Sequence, residues 1–577
     1  MALRRGIWIV IIFIVIAVGI SAAGLLATAF LIGRPPQVAS NSMLVLRIGG
    51  DLREVEPGGL VGSLMAPPPT VRSVVDALRR AKVDRRVTSV VIRPTGNAAL
   101  WGKVQEVRDA ITDFKTSGKP IVAYLEQGGE QEFYLASACD KVFLMPAASL
   151  DLTGMASYEL FLRGTLDRIG AYPDALHIGE YKTASNTFTE RTFTPEHKEM
   201  AESLNRDLYG QLVSGIASGR QKTEGEVRAL IDQGPLLAEA AVSAGLVDGL
   251  AYEDEIDGRL ELGEVKHLEE RDYRTSGGSL GLNRGPRIAV LYAVGVITSG
   301  EGGDSPQGNV VGSDSIVRYL RTARADNSIR AIVLRIDSPG GSAIASDVIW
   351  REVHLTRQVK PVIASMSDVA ASGGYYIAMP ASKIVAAPGT LTGSIGVVTV
   401  KFVIEGTLKN LGMNMESVSE GRYAHLYSPI HRFGPEERAK LLGLMQATYD
   451  TFVEKAAAGR NTTPERIDKI ARGRVWTGQQ AKELGLVDEL GGLQRALALA
   501  KVEAGIDAER EVELVVYPPK KTLLEALANP FGTMEGSAGV AAWLGLNDPR
   551  ALQTLTAPLR LFRRGEPLAL MPNVFVR

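Results

Sequence analysis

The chain has 577 residues, enough for several domains, with a formal net charge of -1 and one cysteine, Cys139. A balanced charge gives no electrostatic case for nucleic acid as a partner, and a single cysteine excludes an internal disulfide framework. Cys139 reads as a small buried hydrophobe rather than a catalytic thiol.

The first element is apolar. Gly6 to Gly33 contain no charged residue, a run longer than the roughly 20 residues that cross a bilayer. Arg4 and Arg5 precede it, and Arg34 with Pro35-Pro36 follows. The extra positive charge before the span predicts a cytoplasmic start and the bulk of the chain outside. A cleavable signal is the competing reading, with Ala27-Thr28-Ala29 as its processing site. The run exceeds the roughly 7–15 residues of a signal core, which favours an uncleaved anchor over 6–33.

Beyond the anchor the chain repeats itself. Arg93 matches Arg335, Tyr134 matches Tyr376, Lys141 matches Lys383 and Pro146 matches Pro388. Further on, Tyr209 matches Tyr449, Gly219-Arg220 matches Gly459-Arg460, and Gly245-Leu246-Val247-Asp248 matches Gly485-Leu486-Val487-Asp488. The period is far too long for a solenoid, so the chain reads as two tandem modules, 43–260 and 287–505. A Gly-rich linker spans 261–286, best marked from Thr275 to Pro286. Ser89–Arg93, Pro120–Ala123, Ala331–Ile336 and Pro361–Ala364 read as buried strands, with helix-length segments such as Ser346 to Thr356 between them. That alternation predicts an α/β fold with parallel pairing. Residues 506–577 contain a strand-like Val512–Val516 and then apolar pieces punctuated by Pro and Gly, to which the sequence assigns no role.

Chemistry concentrates in the second module. Asp337-Ser338-Pro339-Gly340-Gly341-Ser342 follows a strand, and a Gly pair there lets the backbone turn sharply and aim N–H groups at a substrate oxygen. Ser372, in Ala371-Ser372-Gly373-Gly374-Tyr375-Tyr376, follows another strand and precedes a helix from Gly373 to Met379. A serine at such a junction can act as a nucleophile, with the N–H of Gly373 placed for an oxyanion. Alternatively it is an N-cap. In register, the first module has Thr95-Gly96-Asn97-Ala98-Ala99 and Glu130-Gln131-Glu132-Phe133-Tyr134, so both features are missing together. That joint absence favours function.

A nucleophilic serine needs a proton acceptor. The six histidines are His177, His197, His267, His354, His425 and His431, and none lies between 355 and 424. The repeat suggests a lysine instead. Gly179-Glu180-Tyr181-Lys182 matches Gly421-Arg422-Tyr423-Ala424. One half keeps the amine and the other the hydroxyl, so a single site assembled across both modules is expected. A lysine with an ordinary pKa of about 10.4 is neutral in only about one molecule in a few thousand at neutral pH. Lowering it by about three units through burial costs on the order of 4 kcal/mol. Lys182 should therefore sit in a dry pocket beside hydroxyls, with Ser394, in Thr392-Gly393-Ser394-Ile395-Gly396, as the candidate that orients it.

Together, Ser-Pro-Gly-Gly, Ala-Ser-Gly-Gly-Tyr-Tyr, Thr-Gly-Ser-Ile-Gly and Gly-x-Tyr-Lys in an anchored, duplicated chain resemble the long, double-module form of the signal peptide peptidase A family. The resemblance covers about 43–505 plus the anchor. It implies crotonase/Clp-like α/β modules and a bowl-shaped homotetramer with its sites inside. It also implies a serine endopeptidase with a Ser-Lys dyad that degrades residual signal peptides and other extended apolar peptides at the inner membrane, on its periplasmic or extracytoplasmic side. On that resemblance Ser372 is the nucleophile, Lys182 the general base and Ser394 the hydroxyl near it. Gly341 and Gly373 supply the oxyanion N–H groups, with Gly340 as a substitute. No cofactor or metal is expected, since neither a Walker-type loop nor a metal-ligand cluster stands out. Three rivals remain: a Clp-like protease with a Ser-His-Asp triad and an ATPase partner, a crotonase-type enzyme acting on coenzyme A thioesters, and a non-enzymatic membrane scaffold of stomatin-associated type.

Overall fold

The computed structural model describes residues 36–519 except 57–68, 98, 261–262, 277–279, 281 and 306–307, together with 568–571, 575–576 and four positions near the amino end. The predicted anchor lies outside the described residues apart from those four positions. Among the described residues no helix is long and apolar enough to cross a membrane.

Each module is built on a largely parallel sheet. In the first, the strand order is Lys266–Glu269, Ser42–Gly50, Val87–Asn97, Ile121–Leu125, Lys141–Leu144 and Gly249–Leu250, all parallel. In the second, Glu513–Tyr517, Arg287–Val294, Ile329–Ser338, Val362–Ala371, Lys383–Ala386 and Glu489–Leu490 follow the same parallel order. Both faces of these sheets are covered, which is why the strands read as unbroken apolar runs. In Ile329–Ser338, for example, Ile332 and Leu334 enter one core while Ala331 and Val333 enter another.

Two strands come from segments read as lying outside the modules. Lys266–Glu269, inside the predicted linker, extends the first sheet, and helix Glu270–Thr275 follows it. Glu513–Tyr517, from the tail, extends the second sheet at the equivalent edge. Lys266–Glu269 carries a single buried apolar residue, Leu268, so its pairing leaves almost no trace in the hydropathy. Main-chain hydrogen bonds hold it regardless of side chain.

The repeated Gly-Leu-Val-Asp motif has a visible job. Asp248 accepts a hydrogen bond from the Val142 N–H at 2.7 Å and pairs with Arg220 at 2.9 Å. Asp488 accepts from the Ile384 N–H at 2.8 Å and pairs with Arg460. Each aspartate thus ties the start of one strand to the end of a long helix, Pro195–Arg220 or Pro435–Gly459.

The modules are not beads on a string. Tyr172–Ile178 of the first runs antiparallel to Val397–Val403 of the second over seven residue pairs, from Val397 opposite Ile178 to Val403 opposite Tyr172. This strand pair belongs to a third sheet, which also holds Gly340–Ser342 and the C-terminal strand Leu568–Leu570.

A buried set of charges adds to the join. Arg335 donates to Glu54 at 2.8 and 2.9 Å and to Glu106 at 2.7 Å, both acids coming from the first module. Lys103 pairs with Asp337 at 2.7 Å and with Asp368 at 3.3 Å. Asp368 also accepts from the N–H groups of Leu100 and Lys103, at 3.0 and 2.8 Å. A carboxylate of the second module therefore satisfies the open amino end of helix Trp101–Lys115 in the first.

Candidate active site

Ser372 stands where the strand Val362–Ala371 turns into the helix Gly373–Ala378. The equivalent strand of the first module, Ile121–Leu125, is half as long. The extension carries Ser372 to the end of the sheet beside Leu391–Gly393, where its N–H donates to the Gly393 carbonyl at 2.8 Å. Its backbone is held at φ 55° and ψ -111°. A non-glycine residue in such a conformation costs on the order of 1–3 kcal/mol and persists only where its surroundings enforce it. Ser394 is held at φ 51° as well, its N–H donating to the Arg474 carbonyl at 2.7 Å.

Lys182 arrives from the other module. The strand Tyr172–Ile178 ends, the chain turns at Gly179, and the short helix Thr183–Ser185 begins one residue after the lysine. The turn is pinned by the second module, since the Tyr181 N–H donates to the Arg472 carbonyl at 2.9 Å. Gly473 lies flat against the Lys182 backbone. A Cβ there would collide with N, Cα and Cβ of the lysine, and the residue's φ of +83° also favours glycine.

The side chains converge as the repeat suggested. Lys182 Nζ lies 2.7 Å from Ser372 Oγ, 2.7 Å from the Ser394 carbonyl oxygen and 2.9 Å from Ser394 Oγ. All three residues are buried, Lys182 to 1% exposure. Burial alone pushes the Lys182 pKa well below the ordinary lysine range, and no carboxylate opposes it. The amine is therefore poised to be neutral. A neutral amine has two N–H donors and one lone pair. The two oxygens of Ser394 take the donors, and the lone pair is left to accept the Ser372 O–H.

The glycines form the opposite wall. Gly340 and Gly341 have φ of +102° and +152°. A Cβ added at Gly373 would press on Ser346 Oγ and approach Gly340 Cα and Gly341 N, and one at Gly374 would strike the Ser338 carbonyl. The two glycine pairs interlock, bringing the Gly341 and Gly373 backbones side by side. The Gly340 N–H, the substitute donor, turns back to Ser338 Oγ at 3.2 Å.

The first module's equivalent position carries a carboxylate instead. Glu130 accepts from the Thr153 and Gly154 N–H groups at 2.8 and 3.2 Å. Ala424, in register with Lys182, is exposed. None of the six histidines has a hydrogen bond to Ser372 among the described residues, and no group there could hold a metal ion. Sequence reasoning missed Gly473, Lys103, Asp337 and Asp368 as supports. Asp337 left one signal, standing opposite Thr95 in the unarmed copy.

These features define a serine peptidase. The model for Peptidase family S49 matches residues 113–266 and 354–507, one copy in each module. Serine protease SPPA, chloroplastic, of Arabidopsis thaliana is 36% identical over 507 residues, covering 86% of this chain and 74% of that one. Protease 4 of Salmonella typhi is 34% identical over 502 residues, covering 84% and 78%. The chain belongs to Peptidase family S49. Among solved structures, a ClpP1 mutant from Listeria monocytogenes aligns with 36% of this chain and 94% of its own at 17% identity, but with a TM-score of 0.24 the likeness carries no argument.

Proposed function

We propose that this peptidase works with a Ser372–Lys182 dyad whose two members come from different modules. Neutral Lys182 takes the proton of Ser372 as the hydroxyl oxygen attacks a peptide carbonyl. The Gly341 and Gly373 N–H groups receive the oxyanion. The lysinium then protonates the leaving amine, and water, deprotonated by the same amine, hydrolyses the acyl-enzyme. Ser394 holds the amine in place throughout. The observation that carries this reading is the bonding of Lys182 Nζ: three oxygens within 2.9 Å in a buried pocket with no acid to keep it charged.

The substrates we assign are signal peptides left after secretion and other extended apolar peptides, met at a membrane surface. Anchoring through 6–33 with the bulk on the extracytoplasmic side, and assembly as a homotetramer, belong to the same reading. They rest on the apolar run and on the resemblance stated above.

A fluorophosphonate reagent should label Ser372, and Lys182→Ala should abolish both labelling and hydrolysis of an apolar peptide while the thermal transition persists. Full turnover after removal of the amine would refute the dyad. It would favour a histidine-based triad instead.

A further inference from the structure

Ser394 and the turn before Lys182 come from different modules, and a short third segment lies between them. Strand Val475–Thr477 runs antiparallel to Leu391–Gly393, with Val475 opposite Gly393. The three residues before it, Arg472-Gly473-Arg474, carry this pairing on past Gly393. The Ser394 N–H donates to the Arg474 carbonyl, and the Gly473 N–H donates to the Ile395 carbonyl, both at 2.7 Å. On its other side the same tripeptide receives the Tyr181 N–H on the Arg472 carbonyl at 2.9 Å. The support of the amine and the turn that carries it are thus joined, main chain to main chain, through three residues.

The fit leaves no room for added atoms. A Cβ at Gly179 would strike the Arg472 backbone, one at Gly473 would strike the Lys182 backbone, and one at Gly396 would press on Gly473. Arg472 is itself held at φ 51°, a conformation its neighbours must enforce. The arginine side chains reach the two residues that precede the lysine. Arg472 pairs with Glu180 at 2.9 Å. Arg474 lies over the ring of Tyr181, 4.7 Å from its centroid, and pairs at 2.7 Å with Glu199, which also accepts from Tyr181 Oη at 2.8 Å. In register, the first module has Asp232-Gln233-Gly234, so neither arginine nor the middle glycine is repeated.

We propose that Arg472, Gly473 and Arg474 are positioning residues for the base, a clasp by which the second module seats the first module's amine on Ser394. This role rests on the Ser-Lys reading above. The clasp acts through Lys182 and Ser394 and has no part in the chemical steps. The charged groups around the turn are Glu180, Glu199, Asp468, Arg472 and Arg474, paired among themselves, and the His177 ring bonds the Gly179 carbonyl. Burial, and none of these charges, lowers the Lys182 pKa. What the clasp controls is therefore the shelter of the amine from water. An amine shifted out of its seat would regain water, and its pKa would rise.

The test is the pH dependence of apolar-peptide hydrolysis by the full-length protein, with thermal melts of each variant and Lys182→Ala measured in parallel. Gly473→Ala should lower kcat about 100-fold, the cost of a displacement near 1 Å, with KM little changed. Its apparent pKa in kcat/KM should move up toward the ordinary lysine value of about 10.4, so the defect narrows at high pH. Arg474→Ala keeps the main-chain bonds and should show a smaller loss, on the order of threefold to tenfold, with the same upward shift. If Gly473→Ala does not fold, Arg474→Ala decides. Loss of turnover with an unmoved pH profile would mean only fewer folded molecules and would overturn the positioning role. So would a defect confined to KM, or wild-type kinetics in both variants while Lys182→Ala is inactive; the dyad would then stand without the clasp. Turnover by Lys182→Ala would overturn both.

Discussion

Lys182 sits at 1% exposure with only serine oxygens around its amine, an arrangement that costs the folded state stability. Because burial lowers its pKa on folding, the unfolded chain holds more protons than the folded one between the depressed folded value and about 10.4. Stability attributable to this residue therefore rises with pH across that window, and the full cost is present below it. Lys182→Met should be inactive but more stable than wild type by about 0.5–2 kcal/mol at neutral pH, in line with the usual trade between activity and stability. The gain should shrink as pH rises and vanish above about pH 10.4. Denaturant titrations of both proteins at several pH values check this. A gain that grew with pH would contradict a neutral buried amine. For the same reason, peptide hydrolysis should rise with pH through the folded-state pKa of Lys182, since only the neutral form accepts a proton.

At the scale of elements, the two strands that deliver the reactive backbone are fixed from outside their own module. Asp337 is the penultimate residue of Ile329–Ser338, just before the glycine turn, and Asp368 lies shortly before Ser372 on its strand; Lys103 bridges them. Burial would lower the Lys103 pKa, but Asp337, Asp368 and Glu54 outweigh it and hold the ammonium above the usual lysine range. Burial pushes Asp337 up despite the opposing Lys103. Lys103→Met would leave buried carboxylates without their cation, and a loss of about 3–5 kcal/mol is expected. Thermal and denaturant melts measure it; a change under about 1 kcal/mol would mean the acids protonate at little cost. This is also where legibility in the sequence ended. The strands Ile329–Ser338 and Val362–Ala371, the serine, the lysine and the interlocked glycines were readable, because a duplicated chain supplies its own unarmed comparison at each position. Lys103 and Glu54 were not. A charge bound for burial looks like a solvated one until its partner is brought in by a distant stretch of chain. The short edge strand Lys266–Glu269 was hidden for a related reason, since main-chain pairing is indifferent to composition.

For the whole molecule, the seven-pair strand contact between Tyr172–Ile178 and Val397–Val403, with Arg335 reaching Glu54 and Glu106 across the same boundary, makes the modules one structural unit. Multi-module chains often unfold in steps. Here a single cooperative calorimetric transition is expected for residues 36–519, and Arg335→Leu should lower its midpoint. Two resolved transitions in wild type would show that each module stands alone and that the shared site is assembled from independently stable halves.

The order of the halves along the chain has a consequence for biosynthesis. On the proposed dyad, Lys182 is separated from Ser372 by 190 residues. At about 5–20 residues per second, a ribosome needs on the order of 10–40 s to pass from one codon to the other. Throughout that interval the nascent chain carries an amine with nothing to activate, and the later hydroxyl stays inert until the sheet between the modules closes. A dyad split this way would keep the protease silent while it is being made.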